Sequence, residues 1–552
     1  MKTLVAQSSS RLRAALRSHR EFVLILVLFV AFRLSAVLVF KPGGYLGEMS
    51  DFGYYRLLLG LTNQGYWPLL DFWVEYPPVF PWLLVGLYRL SLWIPPFLEA
   101  GTWFNLFLSI VLVAVEAGNL VLLYALARRL HGDQPAVRLA WIYSALFIPV
   151  LTLFGWFEGL ALFFLLLAVL LTLDRHPIAC GIAAALGFMT KLVPIVALPA
   201  AWQRMGRWQE RVKLTLSTAL SLLLVALPFL LTAPAYLLQS LKSPVIRSTW
   251  ETVWALIDGY YSYGVAGGVD RFDPAMAGAA QHPTRLPWTL ITVGFVLFYL
   301  YLFTRRVDWS ENRRVVAFTA LSQNLLTLYF KGYSPQFLIM LLPFVLLLIP
   351  GWRGIAYVLL LSVVNLVEYP IYFLVLPDQP WVLAATVLLR TGILVVLSVE
   401  YASQVYGWRV PERRWNGLAA GAAVLVLVIG VIGSVFAFRA YSQTQYDTSP
   451  HRPAMDVLLD QAQPGATVLV SDQETYEALY PFLHRRLRVK LIETYAYLPP
   501  WEPRLADEVD SNGQLWLYGP ASSPLYASLA GRYAPTSEYD LGERQLSQWE
   551  LR

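Results

Sequence analysis

Residues 178–202 read IACGIAAALGFMTKLVPIVALPAAW. The length suits one crossing of a bilayer, whose hydrocarbon core takes about 20 apolar residues. Lys191 stands in its middle, however, and Pro194 and Pro199 follow. A lysine at mid-bilayer costs about 2.5–3.5 kcal/mol on insertion scales. Two short helices meeting at Lys191 put the ammonium at an aqueous face instead. The stretch therefore predicts two crossings, 178–190 and 191–202. The choice decides the topology, because a single crossing would move every later loop to the other side.

Working outward, apolar runs predict further spans at 21–40, 103–127, 138–153, 158–173, 213–234, 286–304, 313–330, 335–350, 353–375, 381–400 and 417–438. With the split at Lys191 that makes thirteen. Loop charge supports the split. With the N-terminus in the cytoplasm, cytoplasmic segments collect 21 Lys/Arg, and outer segments before residue 439 collect nine. Basic residues favour the cytoplasmic side. An unsplit 178–202 would put the Arg204–Lys213 cluster outside. Long outer loops fall at 41–102 and 235–285. Val79–Ile94 follows Pro77-Pro78 and reads as a helix lying along the interface.

Composition agrees. Of 552 residues, 57% are hydrophobic and 14% charged, against about 45–50% and 25% in soluble chains. This excludes a disordered chain, a coiled coil and a disulfide scaffold, since there is one cysteine, Cys180. The net charge of +6 divides unevenly: residues 1–438 hold 32 Lys/Arg and 21 Asp/Glu, and residues 439–552 hold 10 and 15. The basic excess belongs to cytoplasmic loops, not to nucleic-acid binding. The basic N-terminus and the uninterrupted run after it read as a first span, not a removed signal.

The expected fold is thus an all-α polytopic membrane domain over 1–438. A small extracytoplasmic α/β domain follows over 439–552. In that tail 466–471, 488–492 and 514–518 predict strands, and 472–483 and 521–533 predict helices. No phosphate-cradling glycine loop occurs there, so the tail reads as a structural or docking module.

Polar residues of the membrane half gather at the outer face. The first outer loop carries Glu48, Asp51, Asp71 and Glu75, the last in Glu75-Tyr76-Pro77-Pro78. A short turn reads Phe154-Gly155-Trp156-Phe157-Glu158-Gly159, and Lys191 lies at the next outer turn. The second long loop holds Arg247, Trp250, Glu251 and Trp254, and a later turn reads Lys331-Gly332-Tyr333-Ser334-Pro335-Gln336. Acids can take a proton from a hydroxyl, and cations can hold a phosphate as charge develops. Aromatic side chains suit a sugar face or an isoprenoid chain.

In this order the motifs resemble polyprenol-phosphate-sugar-dependent glycosyltransferases of the GT-C superfamily, most like the family 87 mannosyltransferase-like members. The features are an early outer-loop Asp, then Asp-Phe…Glu-Tyr-Pro-Pro, Lys-x-x-Pro and Lys-x-x-Ser-Pro-Gln, and the likeness spans roughly 20–440. The resemblance implies an inverting transfer of one sugar, mannose by family, from a polyprenyl-phosphate donor to a lipid, glycan or protein hydroxyl. It implies Asp51 as general base and Glu75 on the acceptor side. Lys191, Arg247 and Lys331 would face the lipid phosphate, and Gln336 would bond sugar or phosphate. Glu48, Glu158 and Glu251 complete the candidate substrate-binding set. The chain departs from the family where Glu158 follows Gly155-Trp156-Phe157 in place of Gly-Gln-x-Asp. It also lacks an Asp-x-Asp pair, Glu48 and Asp51 being three apart. No metal ligand is assigned, and a divalent cation stays open.

Plainer readings stand beside these. Asp51 suits the N-cap of a helix starting at Phe52. Lys191 and Lys331 suit snorkelling to the interface. Arg247 and Glu251 have the spacing of an i,i+4 pair. Arg33, Glu116, Glu368 and Arg390 lie within spans, where Glu368 is near enough to the outer end to reach the site and the others read as structural pairs. The 20 Trp read mostly as interfacial anchors. The competing function is a transporter or lipid flippase, which would place its polar groups at the midplane. An oligosaccharyltransferase-like protein is disfavoured, since no Trp-Trp-Asp-Tyr-Gly occurs.

Overall fold

The computed structural model describes residues 18–40, 47, 50–96, 99–262, 264, 270–278, 282–409, 411–491, 514–520 and 533–551. Glu48 and nearly all of the predicted 521–533 helix lie outside the described residues. The chain divides into two compact units, Met1–Gly433 and Ser434–Arg552. The first is largely helical and the second carries a β-sheet.

Among the described residues six helices are long and apolar enough to cross a membrane: Arg20–Val39, Thr102–His131, Trp208–Thr232, Trp352–Val375, Pro380–Tyr406 and Glu412–Thr448. Shorter apolar helices are Val79–Ser91, Glu158–Leu173, Pro177–Thr190, Trp288–Thr304 and Pro335–Leu348. The run predicted as one span at 138–153 is two pieces, Asp133–Ala145 and Ile148–Leu151, parted where Leu146 turns extended. Pro149 sits at the start of the second piece, a position that lacks an intrahelical partner in any case.

The break in 178–202 falls at Lys191. The Pro177–Thr190 helix ends there, because Lys191 is extended at φ −158° and ψ 137°. A short 3-10 turn, Val193–Val196, and the Ala197–Arg204 helix follow. Pro194 in that turn has no N–H to donate, so a continuous helix would lose a bond and clash. A second interruption lies in Trp352–Val375. Tyr369 leaves helical dihedrals just before Pro370, which kinks the chain for the same reason.

The core of the first unit is a continuous apolar cluster fed by nearly every long helix, including Leu120, Leu162, Leu165, Phe318, Leu342 and Leu397, each fully buried. A second cluster joins Phe52, Tyr55, Phe80, Phe104 and Phe157. It seats the Phe52–Gly60 and Val79–Ser91 helices, both within the 41–102 segment, against the Thr102–His131 helix. The helix at Val79 buries Phe80, Leu84 and Val85 and leaves Leu90 exposed.

In the second unit five strands form one sheet in the order β2-β1-β3-β5-β4. These are β1 (Thr467–Val470), β2 (Arg488–Leu491), β3 (Leu515–Pro520), β4 (Tyr533–Asp540) and β5 (Arg544–Leu551). β1 pairs parallel with both β2 and β3, and β5 pairs antiparallel with β3 and β4. The Arg452–Gln461 and Gln473–Leu483 helices pack Ala454, Leu458, Leu479 and Leu483 onto the sheet's buried Val468, Val470 and Trp516. Asp472 caps the second helix by accepting from Thr475 N at 2.8 Å.

Candidate active site

Three connections converge on one cavity in the first unit. The first outer loop brings Ser50, Asp51, Tyr54, Glu75 and Tyr76. The loop after the Pro234–Ile246 helix brings Arg247, Trp250 and Glu251. The Ser334-Pro335-Gln336 segment, at the start of the Pro335–Met340 turn, brings Ser334 and Gln336. Trp156 and Tyr369 close the wall around a space of about 280 Å3.

A small parallel bridge joins two of these segments. Trp250 N donates to Lys331 O at 3.1 Å, and Tyr333 N donates to Trp250 O at 3.2 Å. The Trp250 indole then lies flat on Gly332. A Cβ there would stand 2.0 Å from the ring. Gly332→Ala is therefore expected to push the indole aside and destabilise the protein by about 1–3 kcal/mol, the usual range for overpacking. A thermal melt of the purified variant checks this, and an unchanged midpoint would contradict it.

Asp51 stands at the N-cap of Phe52–Gly60, yet its side chain makes no cap bond. Its carboxylate accepts from Tyr55 Oη at 3.3 Å. Gly155 passes close by at φ +103°, a conformation that favours glycine; a Cβ on it would touch Phe52 and the Asp51 backbone. Burial pushes the Asp51 carboxyl up to about 7, Glu158 adds to the rise, and bonds from Tyr55 and Trp156 and the charge of Lys191 oppose it. A carboxyl that titrates near neutrality is suited to proton transfer.

Lys191 and Glu158 pair with each other, Nζ to Oε1 at 2.5 Å. The ammonium also lies 3.9 Å from the Phe337 ring centre. Neither group lines the cavity. Lys331 does not line it either: its side chain lies over Trp288 at 4.8 Å. The i,i+4 pairing of Arg247 with Glu251 does not form. The helix ends at Ile246 and Arg247 is extended, so four residues no longer make one turn. Arg247 instead donates to Gly264 O at 2.5 Å and stacks 4.1 Å over Trp250. Burial draws its guanidinium down from the ordinary value while Glu75 holds it up, and an arginine stays charged at any physiological pH.

Glu75 is bonded twice. It accepts from Tyr54 Oη at 2.6 Å and pairs with Arg271 at 2.7 Å. Arg271 escaped the sequence reading, as did Tyr54 and Trp73. The Trp73 indole, 4.1 Å beneath the Arg271 guanidinium, donates to Asp270 O at 3.0 Å. Trp73, Trp156 and Trp250 are buried and so are wall and clamp, not interfacial anchors. The one signal for Arg271 was an arginine set between two acids, Asp270 and Asp273, in the second long loop.

Glu251 lines the cavity from a strained position, at φ +49°. Arg390 fixes it there by donating to its main-chain oxygen, and Arg390 also pairs with Glu368. Burial and the neighbouring Glu368 push the Glu251 carboxyl well above the usual carboxylate range. So Glu368 does reach the site, through Glu251. Arg390 belongs to the same group, whereas Arg33 sits apart near Glu116.

A second cavity, about 970 Å3 and almost wholly apolar, lies between the helices Ala197–Arg204, Trp208–Thr232, Trp288–Thr304 and Asn312–Tyr329. Of its hydroxyls, Thr292 pairs with Tyr329 at 2.9 Å and Tyr299 with Ser322 at 2.8 Å, while Thr215 and Thr218 donate to the main-chain oxygens of Arg211 and Leu214. Among the described residues no cluster of three His, Cys, Asp or Glu could hold a metal ion.

No family model matches the chain. No curated protein matches it either. Among solved structures it is similar to ArnT from Cupriavidus metallidurans bound to undecaprenyl phosphate, at 15% identity and a TM-score of 0.33, over 95% of this chain and 97% of that one. It is also similar to the Archaeoglobus fulgidus oligosaccharyltransferase tethered with an acceptor peptide, at 12% identity and a TM-score of 0.34, over 96% and 74%. At such scores the likeness fixes neither fold nor activity.

Proposed function

We propose that the protein is an inverting membrane glycosyltransferase of GT-C type with about thirteen crossings. It moves one sugar, mannose by family resemblance, from a polyprenyl-phosphate donor to a hydroxyl acceptor at the extracytoplasmic face. The observation that carries this reading is the shared cavity of Asp51, Arg247 and Gln336. Asp51 takes the acceptor hydroxyl's proton as the oxygen attacks the anomeric carbon. The sugar–phosphate bond breaks on the opposite side, and the electron pair leaves on the lipid phosphate. Arg247 holds that phosphate as its charge grows, and Gln336 bonds the sugar or phosphate. The Glu75–Arg271 pair shapes the acceptor side. The Lys191–Glu158 pair tunes Asp51 through its charges. The apolar cavity suits the isoprenoid chain, because it lies among apolar helices and one of its lining residues, Tyr329, is two residues from Lys331.

Arg247→Gln is expected to raise the donor KM by about 10- to 100-fold, the loss of a charge-assisted hydrogen bond worth roughly 1.5–3 kcal/mol. The acceptor KM should not move. Steady-state kinetics with each substrate varied in turn checks this, and an unchanged donor KM would remove Arg247 from the phosphate site. The reading as a whole is tested by mass spectrometry of membrane glycolipids from cells with and without the protein, supplied with labelled polyprenyl-phosphate sugars. A labelled product that depends on the protein supports it. Identical glycolipid profiles would count against it.

A further inference from the structure

Glu251 and Glu368 are both fully enclosed and belong to one group with Arg390. Each has one buried oxygen that meets no donor among the described residues, Glu251 Oε2 and Glu368 Oε1. Arg390 holds both residues, one by its carboxylate and the other by its main-chain oxygen, which places the two carboxyl groups to hydrogen-bond each other. Two carboxylates are acceptors only, so such a bond needs a proton between them. With that proton the charge closes: Arg390 is balanced by one negative charge. Without it a net negative charge would sit unpaired in a water-poor interior, which is costly. The other titratable groups that face Glu251 are Tyr260, Tyr333, Tyr369 and Tyr372, and none supplies a second cation.

We infer that Glu251 and Glu368 share one proton, so that Glu251 presents a neutral carboxyl to the cavity and lets it admit an anionic substrate group. The proton resides on Glu251, because Arg390 pairs directly with Glu368 and holds that partner ionised. Arg390 also sets the direction of the Glu251 side chain by gripping its main-chain oxygen in the strained conformation. Glu251 is thus a specificity-determining residue. An ionised carboxylate at that wall would repel a phosphate that Arg247 attracts, whereas a neutral one can bond to it or to the sugar. This last step rests on the proposed function; the shared proton does not.

Infrared difference spectra of the purified protein in lipid nanodiscs test the proton directly. At pH 8, where exposed carboxyls are ionised, the wild type should show a protonated-carboxyl carbonyl band. The band should vanish in Glu251→Gln, and also in Glu368→Gln, where Glu251 becomes the charged partner of Arg390. Spectra of both variants that superimpose on the wild type would overturn the inference. Either variant alone suffices if the other fails to fold. Kinetics tests the role. Glu251→Ala should raise the donor KM about tenfold and leave the acceptor KM unmoved, and Glu251→Gln should recover most of that loss. Equal loss in both variants would overturn the neutral-carboxyl role. The infrared measurement needs no turnover, so a band in a protein that transfers no sugar would refute the proposed function and leave the shared proton standing.

Discussion

Asp51→Asn should lower transfer by about 10²–10⁴-fold, the range that a lost general base costs, and leave the fold intact. The structure separates the two outcomes. The carboxylate makes no N-cap bond, so the variant removes no helix cap. An Asn carbonyl oxygen can still accept from Tyr55. What is lost is basicity alone. The pH profile gives a second check. The Asp51 carboxyl is raised to about 7 by burial and by Glu158, and a base works only when deprotonated. Transfer should therefore rise as pH passes upward through about 7 and level off above it. At about pH 5 only roughly one molecule in a hundred would carry the base ionised. A flat profile between about pH 5 and 8, or full turnover by the variant, would remove Asp51 from the reaction.

Arg390→Leu should destabilise the protein by about 3–5 kcal/mol, because it leaves a buried carboxylate without its partner. The Arg390 and Glu368 side chains are 4% and 0% exposed, so water cannot take over. The variant also frees the Glu251 main-chain oxygen, and with it the corner that carries Arg247, Trp250 and Glu251 into the cavity. Arg390→Leu with Glu368→Leu should recover much of the stability, since an ion pair replaced by apolar groups is often neutral. It should not recover transfer. Thermal unfolding of the single and double variants measures both. Equal stability of Arg390→Leu and the wild type would show that the pair bears no load.

What the sequence discloses depends on whether the signal is local. The interruption at Lys191 is local: one charge and two prolines in an apolar run, and the helix indeed ends at Thr190. The helical spans are similarly local, and their ends agree to within a few residues at Glu158–Leu173 and Trp288–Thr304. The gathering of Asp51, Glu75, Arg247, Glu251 and Gln336 around one cavity could be guessed only as a shared face. Partnerships across long separations could not. Arg271 meets Tyr54 from 217 residues away, and nothing near either residue marks the other. The Arg247–Glu251 spacing misled because it presumes a helix that stops at Ile246. In the tail, β4 and β5 both went unread: only Tyr533 of β4 is buried, and the apolar residues of β5, Leu546, Trp549 and Leu551, do not alternate, so no period announces either strand. The pairing of β4 with β5 also slips register between Pro535 and Ser537, which blurs the alternation.

The most direct test uses the purified protein in sealed vesicles with a polyprenyl-phosphate sugar labelled in both sugar and lipid. A transferase releases free polyprenyl phosphate and passes the sugar label to an acceptor, and Asp51→Asn abolishes both. Labelled donor that crosses the bilayer with its sugar still attached, at the same rate in wild type and variant, would mark a flippase and contradict the account.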